Sequence, residues 1–170
     1  MNRIAIIGCP GSGKSTFARA LRDIIGLPLV YLDQLYWNAD RTTVDKAVFR
    51  ARLAEAMAGE CWIIDGNYGS TMEMRLEACD TVFFLDYPTE VCLEGVRTRR
   101  GTVREDMPWV ETEEDGEFME FIRQFASESR PNIWQLLQKY PQKQQIVFHS
   151  RLEADEYLCA CRRENGGKQC

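Results

Sequence analysis

A chain of 170 residues, 45% hydrophobic and 28% charged, is long enough to bury one sizeable core, and no apolar run approaches the ~20 residues of a membrane span. Its net charge of −5 argues against a broad nucleic-acid surface, whose footprint is a basic stripe or patch. Seven cysteines, an odd count spread through predicted elements, read as reduced thiols, and neither the Cys159–Cys161 pair nor the lone His149 fits a zinc spacing.

The N-terminal MNRIAIIG is too short and too soon interrupted for a signal peptide, so a cytoplasmic protein is expected. Residues 4 to 7 form the first predicted strand and feed into GCPGSGKST, Gly8 to Thr16. Gly8, four residues, then Gly13, Lys14 and Ser15 is the Walker A spacing. Glycines at 8, 11 and 13 let consecutive amides point inward with no Cβ in the way of a phosphate. The following helix, about Lys14 to Ile25, adds its unpaired N–H groups and dipole. Gly8, Pro10, Gly11, Ser12, Gly13, Lys14, Ser15 and Thr16 are thus the expected nucleotide site, with Lys14 on the β and γ phosphates and the Ser15 hydroxyl on magnesium.

Gly26 supplies a helix stop, and PLVYLD reads as a strand ending at Asp33. The next segment places Val44, Ala47, Val48, Ala51, Ala54 and Ala58 at helical spacing, with Gly59 as terminator. CWIID is a buried strand, GNYG turns out of it, and STME reads as a capping box, Ser70 to Glu73, opening a helix through Ala78. DTVFFLD is the fourth strand, and Pro88 starts a helix carrying Arg97, Arg99 and Arg100. From Gly101 to about Glu114 the periodicity lapses, as expected of a mobile lid. Two helices follow, about Glu117 to Ala126 and Pro131 to Tyr140, then the strand QIVFHS, a Ser150–Glu153 capping box and a last helix. The expected organisation is one domain over 1–163, a lid insert at about 101–116 and a tail at 164–170.

Alternating strands and helices predict an α/β fold, a parallel sheet covered on both faces, with ligands beyond the carboxyl ends of the strands. Gly8, Asp33, Asp65 and Asp86 then share one rim. Asp65, followed by the ligand-facing turn Gly66, Asn67, Tyr68, is the favoured magnesium-supporting carboxylate, whereas Asp86, before Tyr87 and Pro88, suits helix capping. Asp33 is placed to orient an acceptor hydroxyl or take its proton, and Tyr36 and Trp37 could wall the acceptor pocket. Arginine outnumbers lysine sixteen to five, so guanidinium clamps are expected: Arg99, Arg100, Arg104 and Arg130 flank the lid, and Arg75 is an acceptor-side anion contact.

These residues resemble the P-loop kinases of the adenylate-kinase and shikimate-kinase type, and more closely the bacterial topology-modulation (FlaR-related) P-loop proteins. The resemblance covers residues 3 to 158 and rests on GCPGSGKST, YLDQLYW, WIIDGNYGSTMEMRLEACDTVFFLD, CLEGVRTRR and SRPNIWQLL. It implies a three-layer P-loop fold whose five strands run in the order 2-3-1-4-5, ATP with Mg2+ as cofactors, Asp65 in the Walker B position and Arg99 near the nucleotide. Gly95 stands where that family usually has arginine, and REDM, residues 104 to 107, replaces an RPDM segment.

The expected function is phosphoryl transfer from Mg·ATP to a small hydroxylated or phosphorylated acceptor, with catalysis by Lys14, Asp33, Arg99 and Arg130. Acceptor contacts are expected from Asp33, Trp37, Gly66, Asn67, Tyr68 and Arg75, and metal contacts from Ser15 and Asp65. A nucleotide-dependent regulator of DNA topology is the alternative, with direct nucleic-acid binding disfavoured by the net charge and the lack of a recognisable helix-turn-helix. A GTP switch would need an NKxD base-reading sequence, which the chain does not contain.

Overall fold

Continuous apolar runs in four of the five strands give a sheet buried on both sides. In the computed structural model, which describes the backbone of residues 1–166 and the side chains of 1–164, these strands are β1 (Arg3–Gly8), β2 (Leu29–Tyr31), β3 (Trp62–Asp65), β4 (Thr81–Leu85) and β5 (Gln144–Phe148). They pair in parallel in the order β2-β3-β1-β4-β5. Ile4 to Ile7, Trp62 to Ile64 and Val82 to Leu85 are all buried, consecutive residues pointing to opposite faces, so helices must cover both. The helices are α1 (Lys14–Ile25), α2 (Leu32–Tyr36), α3 (Lys46–Met57), α4 (Gly69–Ala78), α5 (Thr89–Arg99), α6 (Gly116–Lys139) and α7 (Arg151–Gly166). Helix α1 packs against α7, and α4 and α5 pack against α6. No helix among the described residues is long and apolar enough to cross a membrane.

Several elements differ from the sequence reading, each for a local reason. Strand β2 stops at Tyr31, and Asp33 sits in the first turn of α2, where a carboxylate complements the helix dipole. Helix α3 turns Phe49 and Leu53 inward and leaves Val48 43% exposed, because a phenylalanine and a leucine one turn apart gain more from burial than a stripe of alanines. Helix α4 opens at Gly69 with Tyr68 at its N-cap; Ser70 makes no cap, and Glu73 instead accepts from Lys139 at 2.8 Å. The two helices expected around Pro131 are one, α6, which carries that proline inside it. Met119, Ile122, Phe125, Ile133 and Leu137 form one buried stripe on both sides of Pro131, and this packing offsets the lost backbone hydrogen bond.

Of the capping box expected at Ser150 and Glu153, the first half forms, with Ser150 Oγ accepting from Glu153 N at 3.2 Å, while the Glu153 carboxylate accepts from His149 N, one residue before the cap, at 2.8 Å. Of the tail expected at 164–170, Gly166 still belongs to α7, and residues 167–170 lie outside the described residues.

Candidate active site

Between β1 and α1 the chain must turn without side chains in its way. Gly13, at φ 95°, is the N-cap of α1 and aims the helix amides at the loop interior. Gly11, at φ 82°, lies so close to α5 that a Cβ would overlap the Cys92 carbonyl oxygen. From the other side, a Cβ on Gly95 would overlap the Gly11 carbonyl oxygen. Gly95 therefore seats the loop on α5. Lys14 Nζ donates to Cys9 O at 3.0 Å, and Asn67 Oδ1 accepts from Gly8 N at 3.3 Å, tying the turn after β3 to the loop.

Three carboxylates from distant segments line the cavity that Lys14 and Ser15 enter. Asp65, at the end of β3, is 4% exposed, and its Oδ1 is buried without a hydrogen-bond partner. Burial pushes this carboxyl up to about 6, against the opposing pull of Lys14 and the Ser15 hydroxyl. Asp33 accepts from Tyr68 Oη at 2.6 Å; its carboxyl is raised by burial, with Tyr68 and Lys14 opposing. Asp106 comes from the segment between α5 and α6, where its buried carboxylate accepts from Ser15 Oγ at 3.3 Å and faces Arg19 at 3.4 Å and Arg104 at 3.6 Å. An orphaned buried carboxylate oxygen beside a hydroxyl is a hard-oxygen donor set that fits Mg2+. Among the described residues no three acidic, cysteine or histidine side chains form a metal cage, so such an ion would take its remaining ligands from phosphate and water.

The acidic run expected to be a mobile lid is stitched down. Arg99 holds Glu111 through Nε at 3.0 Å and Nη2 at 3.2 Å, Arg104 reaches the same carboxylate at 3.7 Å, Arg100 pairs with Glu114, and Glu105 pairs with Arg22 of α1 at 2.8 Å.

Two expected contacts fall elsewhere. Arg130 holds Asp86 with a fork of 2.7 and 2.8 Å, so Asp86 neither caps α5 nor faces the loop, and Arg130 lines neither of the cavities described below. Arg75 is fully buried and donates to the carbonyls of Gly66 at 2.7 Å, Asn67 at 3.3 Å, Tyr68 at 3.1 Å and Thr71 at 3.4 Å. It is the internal brace of the Gly66–Tyr68 turn and presents no donor to an acceptor.

Two adjoining cavities result. One, about 520 Å3, covers Gly11, Gly13 and Thr16 and reaches Thr98 and Arg151. The other, about 1310 Å3, lies over Asp33, Asp65, Gly66, Asn67 and Tyr68, with Pro10 and Trp37 in its wall. Lys14, Ser15, Arg99, Arg104 and Asp106 line both, so they stand where two ligands would meet. Asp106, Arg19 and Arg151 were missed by the sequence reading. Arg151 follows the carboxyl end of β5, the position that the strand-end rule marks, and its guanidinium reaches Gly11 O at 3.5 Å.

No family model matches the sequence, and no curated protein matches it. Among solved structures, a shikimate kinase from Bacteroides thetaiotaomicron aligns over 96% of this chain and 97% of its own with a TM-score of 0.63 and 21% identity. A shikimate kinase from Acinetobacter baumannii in complex with shikimate aligns over 100% and 96%, with a TM-score of 0.62 and 15% identity. A gluconokinase from Sinorhizobium meliloti 1021 gives 98%, 92%, 0.59 and 14%. The chain has the P-loop kinase fold. At these identities the likeness carries architecture alone.

One site residue in this P-loop kinase fold has a pH signature. The Asp65 carboxyl titrates above its ordinary value of 3.8, so the stability it provides is fully present below about pH 4 and is lost as the pH rises to about 6. At neutral pH the buried anion costs the ligand-free protein about 3 kcal/mol. Asp65→Asn is expected to raise Tm at pH 7.5 by roughly 5 °C or more and to flatten its pH dependence between 4 and 6, as read by thermal unfolding across that range.

Proposed function

We propose that this protein is an ATP-dependent phosphotransferase that moves the γ-phosphoryl group of Mg·ATP to a hydroxyl of a small molecule. The observation that carries the reading is the set of five residues shared by the two cavities, with the half-buried Asp33–Tyr68 pair on the acceptor side. The motif WIIDGNYGSTMEMRLEACDTVFFLD supports a place within the topology-modulation (FlaR-related) group of this fold.

The chain's own groups divide the work. Amides from Gly11 to Thr16 and the N-terminus of α1 bind the polyphosphate, and Lys14 exchanges Cys9 O for the β and γ oxygens. Ser15 and Asp65 would hold Mg2+, which when bound neutralises charge on those oxygens. Arg99 and Arg104 sit at the junction of the cavities, where negative charge spreads in the transition state. Asp33, with one oxygen already taken by Tyr68, has the other to accept a proton from the acceptor hydroxyl or hold it in line. The segment from residue 100 to 115 is the lid that excludes water from this junction.

Asp33→Asn is expected to cut kcat by about 10² to 10⁴ while the Kd for Mg·ATP stays within about threefold. Calorimetric titration with Mg·ATP and ADP release over a panel of hydroxylated acceptors test both statements; unchanged turnover in the variant would remove Asp33 from the chemistry.

A further inference from the structure

We infer that the acceptor is an uncharged alcohol with a flat aromatic body, such as a nucleoside, rather than a sugar acid or a phosphorylated metabolite; this rests on the phosphotransferase reading of the same cavity. Charge is the first ground. The acceptor cavity is lined by seven carboxylates and only five cations, so its own field repels an anion before any nucleotide is bound. The guanidinium groups that a carboxylate or phosphate would seek are committed elsewhere: Arg99 and Arg104, which pair with Glu111 and, for Arg104, Asp106, serve the transferred phosphoryl group at the junction, and Arg100 is paired with Glu114. An anionic acceptor would have to compete with the phosphoryl group for the first two, or evict Glu114 and leave it unpaired in the wall. Lys14 belongs to the phosphoryl group. Arg41, the remaining lining cation, is exposed on the turn after Trp37.

Shape is the second ground. Trp37, which ends α2, and Trp109, from the segment between α5 and α6, meet edge to face in one wall of the cavity with centroids 5.1 Å apart, and Tyr36 lies 4.9 Å from Tyr68 beside them. Trp37, Trp109 and Tyr36 are only half-buried, so each keeps surface for a ligand in the cavity that they line. A planar ring meets such surfaces in offset or edge geometry, and the thioethers of Met72 and Met107 in the same wall adapt to its outline. At the inner end the Asp33–Tyr68 pair is built to accept from a hydroxyl.

The test measures ADP release with Mg·ATP for adenosine, uridine and pyridoxine against the nucleoside 5′-monophosphates, gluconate and shikimate, with calorimetric binding of each compound alongside. An uncharged aromatic alcohol is expected to exceed every anion in kcat/KM by about tenfold or more. Trp37→Ala and Trp109→Ala should raise its KM by about five- to twentyfold, more than they lower kcat. Glu114→Gln, which frees Arg100, should improve binding of a 5′-monophosphate. Preference for an anion, or no saturable binding of any uncharged aromatic alcohol by protein that binds Mg·ATP, overturns the inference and leaves the phosphotransferase reading standing. Protein that does not bind Mg·ATP overturns that reading, and the inference with it.

Discussion

Lys14→Ala is expected to lower kcat/KM for phosphoryl transfer by at least about 10³-fold while shifting Tm by no more than about 2 °C. The two halves of this result have separate causes. In the ligand-free protein the ammonium makes one hydrogen bond, to Cys9 O at 3.0 Å, and it is only half-buried, so its loss exposes little; the opposing charge it withdraws from the buried Asp65 carboxyl is answered by that group's taking up a proton more readily. In the transition state the same ammonium is a full positive charge at the junction of the two cavities, where a missing charge cannot be replaced by solvent at equal value. Paired ADP-release and thermal-unfolding measurements on one preparation separate these halves. A large fall in Tm would mean that Lys14 supports the loop rather than the reaction.

Arg75→Ala has the opposite profile: a loss of about 3 to 5 kcal/mol of stability, seen as a drop in Tm of roughly 10 °C or more. The guanidinium satisfies carbonyls from four residues, and alanine leaves all of them in a space that only a charged fork had filled. Burial lowers its pKa to about 10, so it remains cationic at neutral pH. Arg75→Lys should recover little, because an ammonium is a single point and cannot span carbonyls that a planar fork reaches together. Since the braced turn also presents Tyr68 to Asp33, a destabilised but folded variant should show a raised acceptor KM with ATP affinity retained. Denaturant titration together with acceptor kinetics reads both effects.

How far the sequence exposed the site depends on the range of the interactions that build it. The phosphate loop, the buried strands and Asp65 were legible because strand, turn and helix signals there lie within a few residues of each other. The strand order came from family resemblance, and the sheet follows it. The sequence offers Arg75 and Arg130 as ligand contacts, because an arginine beside a motif looks free until its partners are known. Those partners are turn carbonyls in one case and Asp86, across the fold, in the other. Asp106 escaped for the same reason: its distance along the chain from Ser15 hides a hydrogen bond that only the packing of the 100–115 segment creates. Pro131 misled because breaking a helix is its local tendency, and a stripe of buried residues running past it is stronger.

Gly11 and Gly95 form a bearing between the loop and α5 in which main chain rests on main chain. A carbonyl oxygen has no rotamer to change, so neither position can be relieved by adjusting its neighbour, and any tilt of α5 is transmitted undamped to the amides that would grip phosphate. Mutational freedom at these two sites is therefore joined by geometry alone, and an engineer seeking to retune the loop would have to move the whole helix with it.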